Sequence, residues 1–208
     1  ANRVYQGLAL REEEVVNSEY SGYINYYSSE TERLSAGSLA YTVDESGQIQ
    51  SYLAQNTDNA AVFSDKDYAE LSSDIVSFEE SFEPSGFHSV YDFKETFSGT
   101  IRKITNSRIL GDLSSLSGSA SLHYCNTSDT GYIVYSVDGY EGKSFADLVT
   151  SDFDTANYKR TDLENNTLVA SGDPAYKLET SEDWELVIPL SSQKEADALK
   201  EEGVVRVR

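Results

Sequence analysis

The chain has 208 residues, 38% hydrophobic and 12% aromatic, which fits a folded protein of one large domain or a few small ones and not a disordered polymer. Its formal charge of −20 repels phosphate backbones and anionic bilayers, so nucleic acid and charge-driven membrane binding are excluded. A single cysteine, Cys125, excludes an intrachain disulfide and a cysteine-based zinc site, and no acidic run has calcium-loop spacing.

Fifteen tyrosines lean the composition towards β-structure. No stretch approaches the length of apolar residues that crosses a bilayer. The chain starts without Met and ends in Val204-Val205-Arg206-Val207-Arg208, a strand-like run, so a piece of a longer protein with an N-terminal anchor removed is expected.

Residues 1–17 read as a lead-in strand around the acidic run Glu12-Glu13-Glu14 and Val15-Val16. Ser21–Tyr27 reads as a strand opened by Gly22, followed by a polar turn at Ser28–Glu32. Arg33–Val43 brings the turn glycine Gly37 and another strand, closed by Asp44-Glu45-Ser46-Gly47.

The period then changes. Ser64 and Asp67 are spaced as a capping box, with Asp replacing the usual Glu. Apolar residues recur at Tyr68, Leu71, Ile75, Phe78 and Phe82, in steps of three and four that mark one helical face. Glu83-Pro84-Ser85-Gly86 breaks that helix. A second ladder, Val90, Phe93, Phe97, Ile101 and Ile104, predicts another, with Gly99 on its off-face. Two helices of roughly 18 residues, about 27 Å each, form an αα-hairpin.

Residues 111–120 are small and polar and read as a linker. β-character returns at Ser128–Val137 and again at Thr167–Leu178. An insertion, Asp138–Glu164, separates these and is expected to hold a short helix near Ser144–Val149. A strand at Asp183–Leu190, a charged helix at Ser192–Glu202 and the terminal strand close the chain.

An internal repeat organises these pieces. Gly22-Tyr23-Ile24-Asn25-Tyr26-Tyr27 matches Gly131-Tyr132-Ile133-Val134-Tyr135, and Leu34–Tyr41 matches Leu168–Tyr176. In each copy a glycine opens a strand and a second, Gly37 or Gly172, turns the chain into the next. One copy cannot bury its apolar face alone, whereas two packed together can.

This pattern is similar to the half-motif of biotinyl and lipoyl carrier domains. With helices between the halves it resembles the HlyD-type adaptor, or membrane-fusion, family, more narrowly its RND-related branch of Gram-positive, Clostridia-type bacteria. Ala9–Glu13, Ser21–Asp44, Val90–Lys94 and Tyr135–Glu141 carry that resemblance. It implies a mainly β fold with an α-helical hairpin: a lipoyl-like barrel-sandwich hybrid split by the hairpin, plus a partial C-terminal β-barrel domain. The division expected is 1–17 lead-in strand, 18–55 first half, 56–118 hairpin, 119–180 second half and 181–208 the truncated start of the barrel.

The resemblance further implies a non-catalytic, extracytoplasmic protein, membrane-anchored at full length. It would link a transport or envelope complex to protein partners, with self-association and the choice between efflux and envelope assembly left open. The competing reading is a glycan-binding or cell-division-associated envelope protein without transport role. The fold-defining positions are Gly22, Gly37, Gly47, Gly131, Gly139 and Gly172. The hairpin interface is expected at Tyr68, Leu71, Ile75, Phe78, Val90, Phe93, Phe97 and Ile101.

No cofactor, metal or catalytic residue is expected. A carrier domain needs a lysine at a tight turn, but none lies between Ser21 and Gln55, and the first is Lys66. His88 and His123 lie in different segments and suggest no metal site. Cys125 stands two residues from His123 but has no third group to orient them, so it reads as structural. Asp138-Gly139-Tyr140-Glu141 reads first as a turn and only second as a loop lining a cleft. Tyr23, Tyr26, Tyr27, Tyr132 and Tyr135 could stack sugars, but strand alternation sends every second one inward as core.

Overall fold

The structure, a computed structural model, describes residues 5–49, 51, 63–84, 88–115 and 121–203. The terminal strand expected at Val204–Arg208 lies outside the described residues. Among the described residues, ten strands and three longer helices follow in order: β1 (Leu8–Asn17), β2 (Gly22–Tyr26), β3 (Arg33–Leu34), β4 (Leu39–Asp44), α1 (Asp65–Ser81), α2 (His88–Ser115), β5 (Leu122–Asn126), β6 (Gly131–Val134), β7 (Ser136–Val137), β8 (Thr161–Asp162), β9 (Leu168–Val169), β10 (Pro174–Val187) and α3 (Gln193–Glu202).

The strands form two four-stranded sheets, ordered β1-β10-β6-β3 and β5-β4-β2-β9, with β7 and β8 pairing apart. The sheets are related by a two-fold exchange. Each half donates its short middle strand to the other: β3 pairs with β6, and β9 pairs with β2. The register repeats in detail. Ile24 faces Val43 as Ile133 faces Leu178, and Tyr23 faces Asp44 as Tyr132 faces Glu179. The turns repeat as well. Gly37 donates to Thr127 O and Gly172 to Ser18 O, and the positive-φ residues Thr31 and Asn166 occupy matching corners.

That register corrects the sequence alignment by one residue. Leu34 faces Gly131 and Val169 faces Gly22, so Leu34 corresponds to Val169. Leu168 instead lies outside the core, 71% exposed.

The core is the space between the halves. Ile24, Tyr26, Leu34, Tyr41, Val43, Ile133, Tyr135, Tyr176 and Leu178 form one buried cluster. Equivalent tyrosines meet across the exchange axis: Tyr26 packs on Tyr135 at 4.2 Å and Tyr41 on Tyr176 at 5.9 Å between ring centroids. Burying rings of this size contributes most of what one half lacks alone.

The two strand-opening glycines are required for closeness. A Cβ on Gly22 would lie 2.6 Å from Asp44 O, and one on Gly131 would lie 2.5 Å from Glu179 O. Gly37 and Gly172 instead supply positive φ, +82° and +97°, with open space around them. Gly47 and Gly139 are turn glycines of the same positive-φ kind.

The hairpin departs from expectation in length. α1 has 17 residues, but α2 has 28 and continues through Gly111 to Ser115, into the segment read as linker. A glycine costs a helix only about 1 kcal/mol, and a helix already formed extends at low cost, so small polar composition did not stop it. Gly99 also departs from expectation: it is buried against Ser29, and a Cβ there would sit 3.5 Å from Ser29 Cα.

In the insertion, the short helix resolves into two 3₁₀ turns, Phe145–Asp147 and Thr150–Phe153. Asp147 accepts from Ser144 N at 2.9 Å and Asp152 from Val149 N at 2.8 Å, closing each turn before it elongates. The strand expected from Asp183 is the outer part of β10 (Pro174–Val187), whose pairing with β1 shifts register between Glu179 and Trp184.

Candidate interaction site

Two surfaces stand out beyond the core: the helical hairpin and the insertion. Ser64 starts α1 as expected, its hydroxyl accepting from Asp67 N while Asp67 accepts from Ser64 N at 2.7 Å. The Ser64 hydroxyl also donates to Asp67 at 2.7 Å, and this bond, with the one from Ser64 N and the ion pair with Arg108 of α2, holds the Asp67 carboxyl below its ordinary pKa.

Of the expected hairpin interface, the structure brings Phe78, Phe93 and Phe97 together. Phe78 stacks on Phe93 at 4.3 Å, and Phe93 lies 5.4 Å from Phe97. Leu71 is buried and Val90 is half-buried. Tyr68 is 56% exposed and meets Phe63 instead, and Ile75 and Ile101 are partly exposed, at 40% and 36%. Phe82 sits just past the end of α1, against Phe78 at 5.3 Å.

Apolar periodicity could not show the other seam of α2. Gly99, Lys103 and Asn106 lie on one face, at steps of four and three. Asn106 Nδ2 donates to Tyr26 O at 2.6 Å and to Asn165 Oδ1 at 3.2 Å, and Lys103 Nζ reaches Glu32 at 3.1 Å. On the same helix, Thr100 Oγ1 donates to Asp74 of α1 at 2.7 Å. The only sequence signal for this seam was a polar stripe opposite the apolar ladder.

In the insertion, Asp138-Gly139-Tyr140-Glu141 is a turn. Glu141 accepts from Asp138 N at 2.8 Å and from Gly139 N at 2.9 Å. The same carboxylate lies 3.7 Å from Lys177 of β10, a buried lysine that also pairs with Glu13 of β1 at 3.1 Å. Burial raises the Glu13 pKa despite Lys177 beside it. Lys143 pairs with Asp152 and lies over the Tyr140 ring at 4.4 Å. Phe145, Val149 and Tyr158 project from this frame into solvent.

The remaining candidates separate. His123 stacks flat on Tyr20 at 3.7 Å and bonds Glu45 at 2.9 Å. Cys125 packs on the core beside Tyr41, and burial raises its pKa, the opposite of nucleophile activation. His88 opens α2. Among the described residues, no group of three or more His, Cys, Asp or Glu side chains could hold a metal ion. Tyr26, Tyr27 and Tyr135 are buried, and burial pushes Tyr27 up to about 12, so these rings are framework rather than platform. Among the described residues, no helix is long and apolar enough to cross a membrane.

A sandwich of two exchanged β-halves with a helical pair between them defines a split barrel-sandwich hybrid. The model of the RND-related barrel-sandwich hybrid domain family matches residues 13–179, and the chain belongs to that family, within the HlyD-type adaptors. Among solved structures the chain is similar to ZneB from Cupriavidus metallidurans, at 16% identity and a TM-score of 0.27, over 85% of this chain and 67% of that one. No curated protein matches the sequence. The family and fold are those of non-catalytic, extracytoplasmic adaptors, whose partners are proteins of a transporter complex.

Proposed function

We propose that this chain is the assembly core of a membrane-anchored adaptor, with the helical hairpin and the sandwich presenting surfaces to protein partners of a transport complex. The observation that carries this reading is the hairpin inserted between exchanged halves: among the described residues, none of the sandwich's core cluster comes from the hairpin, which frees the hairpin for contacts. Exposed Tyr68, Ile75, Val76 and Tyr91 on that hairpin provide apolar contact surface.

The test is copurification of the full-length protein from its native membranes after mild crosslinking. A transporter subunit should be captured, and Tyr91→Glu together with Val76→Glu should reduce that capture several-fold while the sandwich melts as before. Capture of no membrane partner, or capture unaffected by both changes, overturns the reading.

A further inference from the structure

We propose that the hairpin is held down on the side of the sandwich by a polar latch, Gly99, Lys103 and Asn106 of α2, and that it has a second, lifted position. This concerns regulation and does not depend on which partner the hairpin meets.

Chain direction supplies the first argument. The chain leaves the first half after Asp44, which pairs with Tyr23 at the Gly22 end of β2. Yet α2 meets the opposite end of that strand, at Tyr26 and Ser29. The hairpin therefore folds back along the body that it leaves.

Chemistry supplies the second. The face of α2 that meets those loops is a glycine, a lysine and an asparagine, while Phe93, Phe97, Ile101 and Ile104 lie on the opposite side of the helix. Hydrogen bonds that water can replace hold two bodies far less firmly than buried apolar area does. A contact of this kind opens without unfolding either body.

The third argument is an unsatisfied atom. Asn25 is fully buried on the outer face of β2, the strand that α2 packs against, and its Oδ1 has no hydrogen-bond partner. A buried acceptor without a partner is costly, and we assign that cost to the docked position. Lifting the hairpin would let water reach this face.

Comparison of the halves supplies the fourth. Tyr135 receives Leu163 N of its own half on its carbonyl at 2.8 Å and gives its N–H to Glu30 of the first half, so both groups are served without the helix. Tyr26 gives its N–H to Asn165 at 2.8 Å, but its carbonyl is served by Asn106, from the helix. The first half has a socket that the hairpin fills; the second has none.

The experiment measures distances in the full chain between spin labels at Glu80→Cys in α1 and Thr180→Cys on β10, in a Cys125→Ser background. Wild type should give a dominant docked distance with a minor longer one. Lys103→Glu, which sets a third carboxylate beside Glu32 and beside Glu70 of α1, 3.7 Å from the Lys103 ammonium, and Asn106→Ala should each raise the longer population about tenfold with the sandwich still melting cooperatively. Separately, Ser29→Cys with Gly99→Cys should crosslink on oxidation, because a Cβ on Gly99 would lie 3.6 Å from that of Ser29, within disulfide reach. One unchanged distance in wild type and both variants overturns the latch. So does loss of cooperative melting in Lys103→Glu, which would make the hairpin part of the core. Failure of the crosslink to form overturns the docked geometry itself. A missing membrane partner would leave all of these outcomes unchanged.

Discussion

At one matching position the two halves solve the same problem differently. Thr42 on β4 is fully buried and shares a hydrogen bond with Tyr27 Oη at 2.8 Å. Its counterpart Lys177 on β10 is nearly as buried but charged, held between Glu13 and Glu141. The backbone at these two sites is the same; what differs is the covering. The first half is covered by α2, whereas the second meets the edge strand β1 and the insertion turn. The insertion is thereby riveted to the sheet by an ion cluster that the first half does not need. The repeat fixes the strands, and each half has its own cover.

That contrast can be broken experimentally. The largest effect is expected for Lys177→Met, which leaves Glu13 and Glu141 buried without their cation and should cost about 3–5 kcal/mol. Thr42→Val, at the equivalent place, should cost only about 1 kcal/mol. Urea unfolding of the two variants compares them, and equal losses would show that the halves are covered alike.

The glycines sharpen the equivalence instead. Gly22→Ala and Gly131→Ala each drive a methyl group into a backbone carbonyl and should each cost about 3 kcal/mol. Gly37→Ala and Gly172→Ala, with open space but positive φ, should each cost about 1 kcal/mol. Thermal melts should therefore sort the four by role, not by half. A split by half would break the two-fold account.

The smallest effect concerns a strand-end acceptor. Glu30 accepts from Tyr135 N where Asn165 accepts from Tyr26 N. Burial raises the Glu30 pKa, partly offset by that N–H donor and by Arg160 and Arg102. The folded state therefore keeps this proton at a pH where the unfolded chain has lost it, and stability falls as pH rises through the raised pKa. Glu30→Gln should flatten that part of the stability profile and be slightly more stable at neutral pH. An unchanged profile in the variant would place the effect on Glu13, whose pKa is raised for the same reason.

Much of this was legible beforehand because it is periodic. Tyrosine and isoleucine alternating behind Gly22 and Gly131 marked the paired strands, and the Ser64–Asp67 box marked the start of α1 to the residue. The ladder through Phe78, Phe93 and Phe97 found the helix–helix contact, but it overreached at Tyr68 and Ile75, because periodicity marks a face without saying how far its partner extends. The length of α2 is not legible in the sequence because Gly111 and its serines look like a linker by composition, and composition is a weak stop once a helix is under way.

The sequence alone determined that there are two glycine-opened β-halves with a helical pair between them, since repeat and period are local properties of the chain. Only the tertiary structure decided that the middle strands are exchanged, that Leu34 matches Val169, and that Asn106 reaches Tyr26. Each of these depends on which distant backbone group faces which, and hydrogen-bond partners far apart in sequence leave no period to read.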